Sequence, residues 1–172
     1  AAINFGNPIL ANRHPATGEP VGVSVDLSRE LAHRLGVRVE LVQFNAAGKV
    51  VEAVSANEVA IAFVAIDPER AVTTVYTAPY VVIEGTYMVA KDSPLQTPED
   101  VDRAGPQVSV GRGSAYDLFL TRSLKQASLV RAPTSAAAIE LFASDKLDAS
   151  TGVRQPLVSF AAAHSGYRVM PG

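Results

Sequence analysis

An α/β fold built on mostly parallel sheets is what this sequence predicts, and three observations predict it. Segments of strand character and helix character alternate almost without interruption along the 172 residues. Residues 61–66 (IAFVAI) form a continuous apolar run, the pattern of a strand covered on both faces. The run stops at Asp67-Pro68-Glu69-Arg70, a helix start in which Asp67 suits the N-cap, Pro68 the first helical position and Glu69 the first turn.

In chain order, residues 1–5 read as a buried strand. Ala1 already lies inside the apolar run, so the strand is expected to begin part-way, as in a fragment. Gly6-Asn7-Pro8 breaks it, and a loop follows through Asn12, Pro15, Gly18 and Pro20. Ser24 is the expected cap of a helix through Leu27, Leu31 and Leu35, with Asp26 in its first turn and Gly36 as its stop. Residues 37–44 alternate as VRVELVQF, a strand with one covered face. Residues 45–57 read as a second helix, apolar at Val50, Val51 and Val54. After the 61–66 strand, Thr77-Ala78-Pro79-Tyr80 is a turn, and residues 81–90 are a strand long enough to cross between two lobes. The polar, Pro-rich KDSPLQTP behind it marks a seam, and Thr97-Pro98-Glu99-Asp100 starts another helix. Residues 107–110 are a short strand running into Gly111-Arg112-Gly113-Ser114. Ser114 and Asp117 make an S-x-x-D capping pattern for a helix containing Leu118, Leu120 and Leu124. Strands at 128–131, 147–151 and 167–170 and helices at 134–144 and 155–164 complete the alternation.

Composition narrows the function. Hydrophobic residues make up 48%, against disorder, and a net charge of −2 without a basic stripe argues against nucleic-acid binding. Cysteine is absent, which excludes disulfides and thiolate metal sites. No apolar run reaches the roughly 18 residues of a membrane span, so no direct membrane insertion is expected. No signal peptide is present, so an exported protein would be in its mature form. His14, His33 and His164 lack metal-ligand spacing, and the G-x-G at 111–113 lacks the third glycine of a dinucleotide fingerprint. Neither a metal nor a cofactor is expected.

Two stretches carry chemistry. Arg70 stands on a helical turn at the carboxyl end of a buried strand, the edge of an open α/β sheet where ligands bind. Its guanidinium suits a carboxylate held by two parallel hydrogen bonds, while simple i, i+3 pairing with Asp67 is the alternative. At Ser114 a helix starts, and its unpaired N–H groups and dipole attract an anion, with a plain strand–turn–helix as the alternative. Glu84 and Tyr87, polar on an apolar strand, read either as general acids or as a strand face turned to water.

In order and spacing, these residues resemble the bacterial extracellular solute-binding proteins of family 3, the amino-acid receptors of ABC importers. VGVSVDLSRELAHRLG resembles the family's "GfdvDla-alakrlG" signature at Gly22, Asp26 and Gly36. DPERAVTTVYTAPY resembles "T-x-eR-…-vdFs-pY" at Arg70, Pro79 and Tyr80. VSVGRGSAYDLFL resembles the "vaV-x-GT" turn of the second lobe, and KLDAS the late "vDAv" strand at Asp148-Ala149.

The resemblance implies a two-lobed, type II periplasmic-binding-protein fold, with the ligand in the cleft between the lobes. Residues 1–88 would form the first lobe and 89–172 the second, the segment that returns to rebuild the first lobe being absent. It implies that Arg70 holds a ligand α-carboxylate, joined by Ser114 and Ala115 from the second lobe. Asp67, Ala65, Phe5, Asn7 and Phe44 complete the expected contacts of the first lobe. Gly152 and Arg154 stand near the place where the family keeps its amine-binding carboxylate, and this chain has none there. If Arg154 faces the cleft, two guanidiniums suit a dicarboxylate or acidic amino acid; the alternative is that it caps its own helix on the surface. The implied function is capture of an amino acid or other small carboxylate for an ABC permease, outside the cytoplasm, in the periplasm or extracellular space, without catalysis. The alternatives are a dehydratase-like enzyme using Glu84 or Tyr87, and a sensor module of a larger receptor.

Overall fold

A computed structural model of the chain describes residues 1–103 and 105–171, so Gly172, the expected end of the second lobe, lies outside the described residues. It divides into two compact units, Ala1–Thr77 and Ala78–Gly172.

In the first unit, β1 (Ala2–Asn4) is followed by a small antiparallel hairpin, β2 (Asn12–Arg13) with β3 (Pro20–Val21). The sequence shows only a loop there. The hairpin closes because His14 exchanges backbone bonds with Glu19 and Gly18, while Gly18 supplies the positive φ of 72°. α1 (Val23–Leu35) follows, then β4 (Val42–Phe44) and α2 (Ala47–Ser55). β1 and β4 pair in parallel, Ala2 opposite Val42 and Asn4 opposite Phe44. On its other side Ala2 bridges Ala62, also in parallel.

Several expectations are corrected here. Only residues 42–44 of the predicted 37–44 strand are paired, because β1 offers three residues to pair with. The 61–66 run is not covered on both faces: it makes a single bridge, and Ile66 is 57% exposed. β1 flanks it through the Ala2–Ala62 bridge. α1 begins one residue after Gly22, not at a Ser24 cap. Gly22 has φ 114°, and a Cβ on it would meet the Leu10 carbonyl oxygen at 2.7 Å, so glycine is required on both counts. Gly36 ends the helix as expected, in the left-handed conformation, with Val37 N–H on the Ala32 carbonyl and Gly36 N–H on that of His33. The face of α1 that packs inward is Ser24, Val25, Ser28 and Ala32, while Leu27, Leu31 and Leu35 face out. Val25 joins Ile3 and Ala11 in one cluster; Val50 and Ala53 of α2 join Ala2 and Val59 in another.

In the second unit, β5 (Gly85–Ala90) and a capped 3₁₀ turn, Pro98–Val101, lead to β6 (Gln107–Gly111) and α3 (Ala115–Ser123). β7 (Ser128–Ala132), α4 (Ser135–Asp145), β8 (Ala149–Val153), α5 (Arg154–Ala163) and β9 (Tyr167–Val169) follow. The sheet runs β7-β6-β8-β5-β9. β6 is parallel to β7 and β8, whereas β5 runs against both β8 and β9, so this sheet is mixed. The predicted 81–90 strand is confined to its last six residues, and Val82 is 95% exposed. The expected boundary at residue 88 falls inside β5, whose Tyr87 and Val89 belong to the core of this unit. That core covers one sheet face; the other is sealed by Met88, Ile139, Phe142 and Leu157 under α4 and α5.

Candidate functional site

In the first unit the expected residues gather at the carboxyl ends of parallel strands. Phe5 N–H donates to the Phe44 carbonyl at 2.8 Å, which joins the exits of β1 and β4. Gly6 fits there because a Cβ would stand 2.6 Å from the Asn45 carbonyl oxygen. The Asn7 side chain accepts the Ile9 N–H at 3.4 Å, and Phe44 packs against the Ala2–Val50 cluster. Over the Phe5 ring lies the guanidinium of Arg13, 4.4 Å from its centroid.

The Asp67–Arg70 turn is the most enclosed part of this group of residues. Asp67 and Arg70 are 4% and 3% exposed. Asp67 Oδ1 accepts the Glu69 N–H at 2.9 Å and its carbonyl accepts the Ala71 N–H at 2.9 Å, so it organises the turn, while the 3₁₀ helix itself is Arg70–Val72. Arg70 Nη1 donates to the Ala65 carbonyl at 3.1 Å, and the Tyr76 hydroxyl donates to the same oxygen at 3.3 Å. Burial lowers the Arg70 pKa, against the opposing pull of Tyr76 and Asp67. An arginine nonetheless keeps its charge in proteins. Ala65 thus enters as the acceptor that orients Arg70.

In the second unit Ser114 is the N-cap of α3, its Oγ accepting the Asp117 N–H at 3.2 Å, and Ala115 is the first helical residue. Asp117 does not complete the expected reciprocal box with Ser114. Its Oδ2 accepts the Gly113 N–H at 2.8 Å, and its Oδ1 accepts Arg131 Nε at 2.8 Å. β6, β7 and β8 are parallel, so the helices that follow them, α3, α4 and α5, all start at one edge of the sheet. Gly111 lets α4 close in: a Cβ there would stand 2.8 Å from the Ser135 backbone N. Gly152 lies in β8 opposite Thr86, with open space where a Cβ would stand. Arg154 opens α5, and its Nη1 donates to Glu84 Oε1 at 3.1 Å and to the Met170 carbonyl at 3.1 Å.

The structure therefore clusters Asp67, Arg70 and Ala65, joins Phe5 to Phe44, sets Ser114 and Ala115 at one helix start, and ties Arg154 to Glu84. Arg13, Tyr76 and Arg131 join these groups as well. Each acts through a tertiary contact, and only Tyr76 carried a signal, lying inside the Arg70 motif. A groove of about 250 Å3 in the first unit lies elsewhere, at the amino ends of the strands, lined by Ala1, Leu31, Leu35, Val37, Val59 and Ile61. Among the described residues no three His, Asp or Glu side chains converge as metal ligands, and no helix is long and apolar enough to cross a membrane.

Comparison with known proteins finds the family described as bacterial extracellular solute-binding proteins, family 3, matching residues 10–160. No curated protein matches significantly. Holo ArgBP from T. maritima superposes with a TM-score of 0.82 at 23% identity, covering 99% of this chain and 75% of that one. An amino acid ABC transporter substrate-binding protein from Streptococcus pneumoniae, bound to L-arginine, gives 0.81 at 22% identity, covering 98% and 73%. An ancestral amino acid-binding protein described as a precursor of cyclohexadienyl dehydratase gives 0.76 at 22%, covering 99% and 75%. At these identities the likeness shows the fold, that of the type II periplasmic binding proteins.

Proposed function

Because the chain belongs to the bacterial extracellular solute-binding proteins of family 3, we propose that it captures an amino acid or another small carboxylate outside the cytoplasm and delivers it to an ABC permease. The observation that carries this reading is Arg70: a guanidinium 3% exposed, oriented by the Ala65 carbonyl at the carboxyl end of parallel strands. In the second unit Ser114 and Ala115 open a helix start of the kind that accepts anions. Phe5, Asn7 and Phe44 supply the wall and polar edge of the first-unit contacts, with Asp67 as the acceptor for a ligand amine. Gly152 leaves room beside β8. Arg154 contributes a second positive group only to a ligand that outcompetes Glu84 for it.

The test is a thermal-shift screen of L-amino acids and small organic acids, because a ligand that binds the native state alone raises its melting temperature. Amino acids are expected to raise it. A flat response across the whole panel refutes the reading. Glutamate against glutamine then tests Arg154: a preference for glutamate supports a ligand role, and equal affinity removes it.

A second reading, an enzyme of the dehydratase kind, is favoured by the likeness to the dehydratase precursor. Its two acid candidates are otherwise occupied. Glu84 is paired with Arg154, and Tyr87 is buried in the core with its pKa pushed up to about 12 by desolvation and by Asp102. Binding without turnover is therefore the reading we adopt. Recovery of a chemically altered ligand after incubation would reverse it.

A further inference from the structure

Asp117 places a carboxylate, 5% exposed, in the first turn of α3, the turn assigned above to a ligand's carboxylate. Two negative groups within one helical turn repel, and more strongly where water is excluded. The surrounding bonds show how the charge is accommodated. Asp117 Oδ1 meets Arg131 Nε at 2.8 Å, while Arg131 Nη2 donates to Thr121 Oγ1 at 2.8 Å. That hydroxyl donates back to the Asp117 carbonyl at 2.7 Å. The cation comes from β7, where Arg131 is held in register with Val110 of β6. Its side chain is 34% exposed, against 7% for Asp117, so the pair is not a solvated surface contact of negligible worth. Meanwhile Asp117 Oδ2 holds the Gly113 N–H, and the Asp117 N–H is given to Ser114 Oγ. The donors that helix geometry leaves at this start are the N–H groups of Ala115 and Tyr116.

We propose that Arg131 is the counter-charge that makes the start of α3 an anion receptor. It cancels the Asp117 charge while Asp117 fixes the turn before the helix, so a carboxylate meets the Ala115 and Tyr116 N–H groups in an electrically neutral setting. Arg131 touches no ligand; it is a positioning residue that acts through Asp117. The inference rests on the ligand-binding reading for the identity of the anion.

The test compares the wild-type chain with R131M, R131K, D117N and the double variant R131M/D117N. L-Arginine and L-glutamine are titrated by calorimetry, and sodium acetate is followed through the amide NMR shifts of Ala115 and Tyr116. The two single variants are expected to move in opposite directions. R131M weakens binding by roughly tenfold or more, and D117N binds as tightly as wild type or tighter. The double variant returns close to wild type, and R131K retains most of the affinity because it keeps the charge. A role in rigidity alone lowers affinity in both single variants, with no repair in the double, and that result overturns the proposal. So does wild-type affinity in R131M. If R131M fails to fold, D117N and the double variant decide by the same signs. Wild type that binds neither amino acid but shows acetate shifts at residues 115 and 116, lost in R131M and restored in the double, upholds this inference without the ligand reading. Absence of those shifts in wild type overturns it.

Discussion

Arg70 combines near-complete burial with a hydrogen bond to a backbone carbonyl, so its guanidinium is held in one orientation, as a proposed ligand anchor requires. Pre-organisation of that kind raises affinity by removing an ordering cost. A charge-assisted hydrogen bond contributes roughly 1.5–3 kcal/mol. Arg70→Ala is therefore expected to weaken amino-acid binding by about tenfold to a hundredfold, measured by calorimetry. Tyr87 makes a different prediction. Burial raises its folded pKa to about 12, above the ordinary value of 10.0, so below pH 10 the phenol is neutral in both states and the native state carries no penalty. Above that pH the unfolded chain loses the proton first and is favoured, so stability falls between about pH 10 and pH 12. Tyr87→Phe should flatten this fall in alkaline denaturation curves. It should not abolish it, because burial also raises the pKa of Tyr76 and Tyr116.

At the scale of elements, α1 shows what its pattern concealed. Its leucines recur at helical spacing, yet the helix seats its small side chains inward. Ser28 is fully buried and satisfies its own hydroxyl on the Ser24 carbonyl at 2.7 Å, so a polar residue serves there as a close-packing one. Ser28→Leu is expected to destabilise by about 1–3 kcal/mol through overpacking, whereas Leu31→Glu should change stability by no more than about 0.5 kcal/mol. Urea denaturation distinguishes the two. Helix ends were legible wherever local punctuation sets them, as at Gly36 and Ser114. Strand extents at 37–41, 63–66 and 81–84 were not, because pairing requires a neighbour that the segment itself does not encode. The candidate residues of the two units divide in the same way. Arg70 and Ser114 follow from local turn chemistry, while Arg13 over Phe5 and Arg131 on Asp117 arise only when separate elements meet.

For the molecule as a whole, each unit has its own apolar clusters, and the division between them falls at Thr77 and Ala78. Around that point Val72, Val75 and Val82 are 83%, 99% and 95% exposed, outside any strand. Thermolysin, which cuts before exposed aliphatic residues, is expected to nick the native chain first between residues 72 and 82, as read by mass spectrometry of early fragments. First cuts within β6 or β8 would contradict this. The outward row of Val23, Leu27, Leu31 and Leu35, continued by Val37, bears on the colloidal behaviour of the protein. An apolar strip of that length attracts between molecules, and salt uncovers that attraction by screening the repulsion of their small net charge of −2. Static light scattering should therefore give an osmotic second virial coefficient that turns negative as sodium chloride is raised. Leu31→Glu with Leu35→Glu should return it to positive values. One face of one helix would then set the concentration at which this protein demixes from solution.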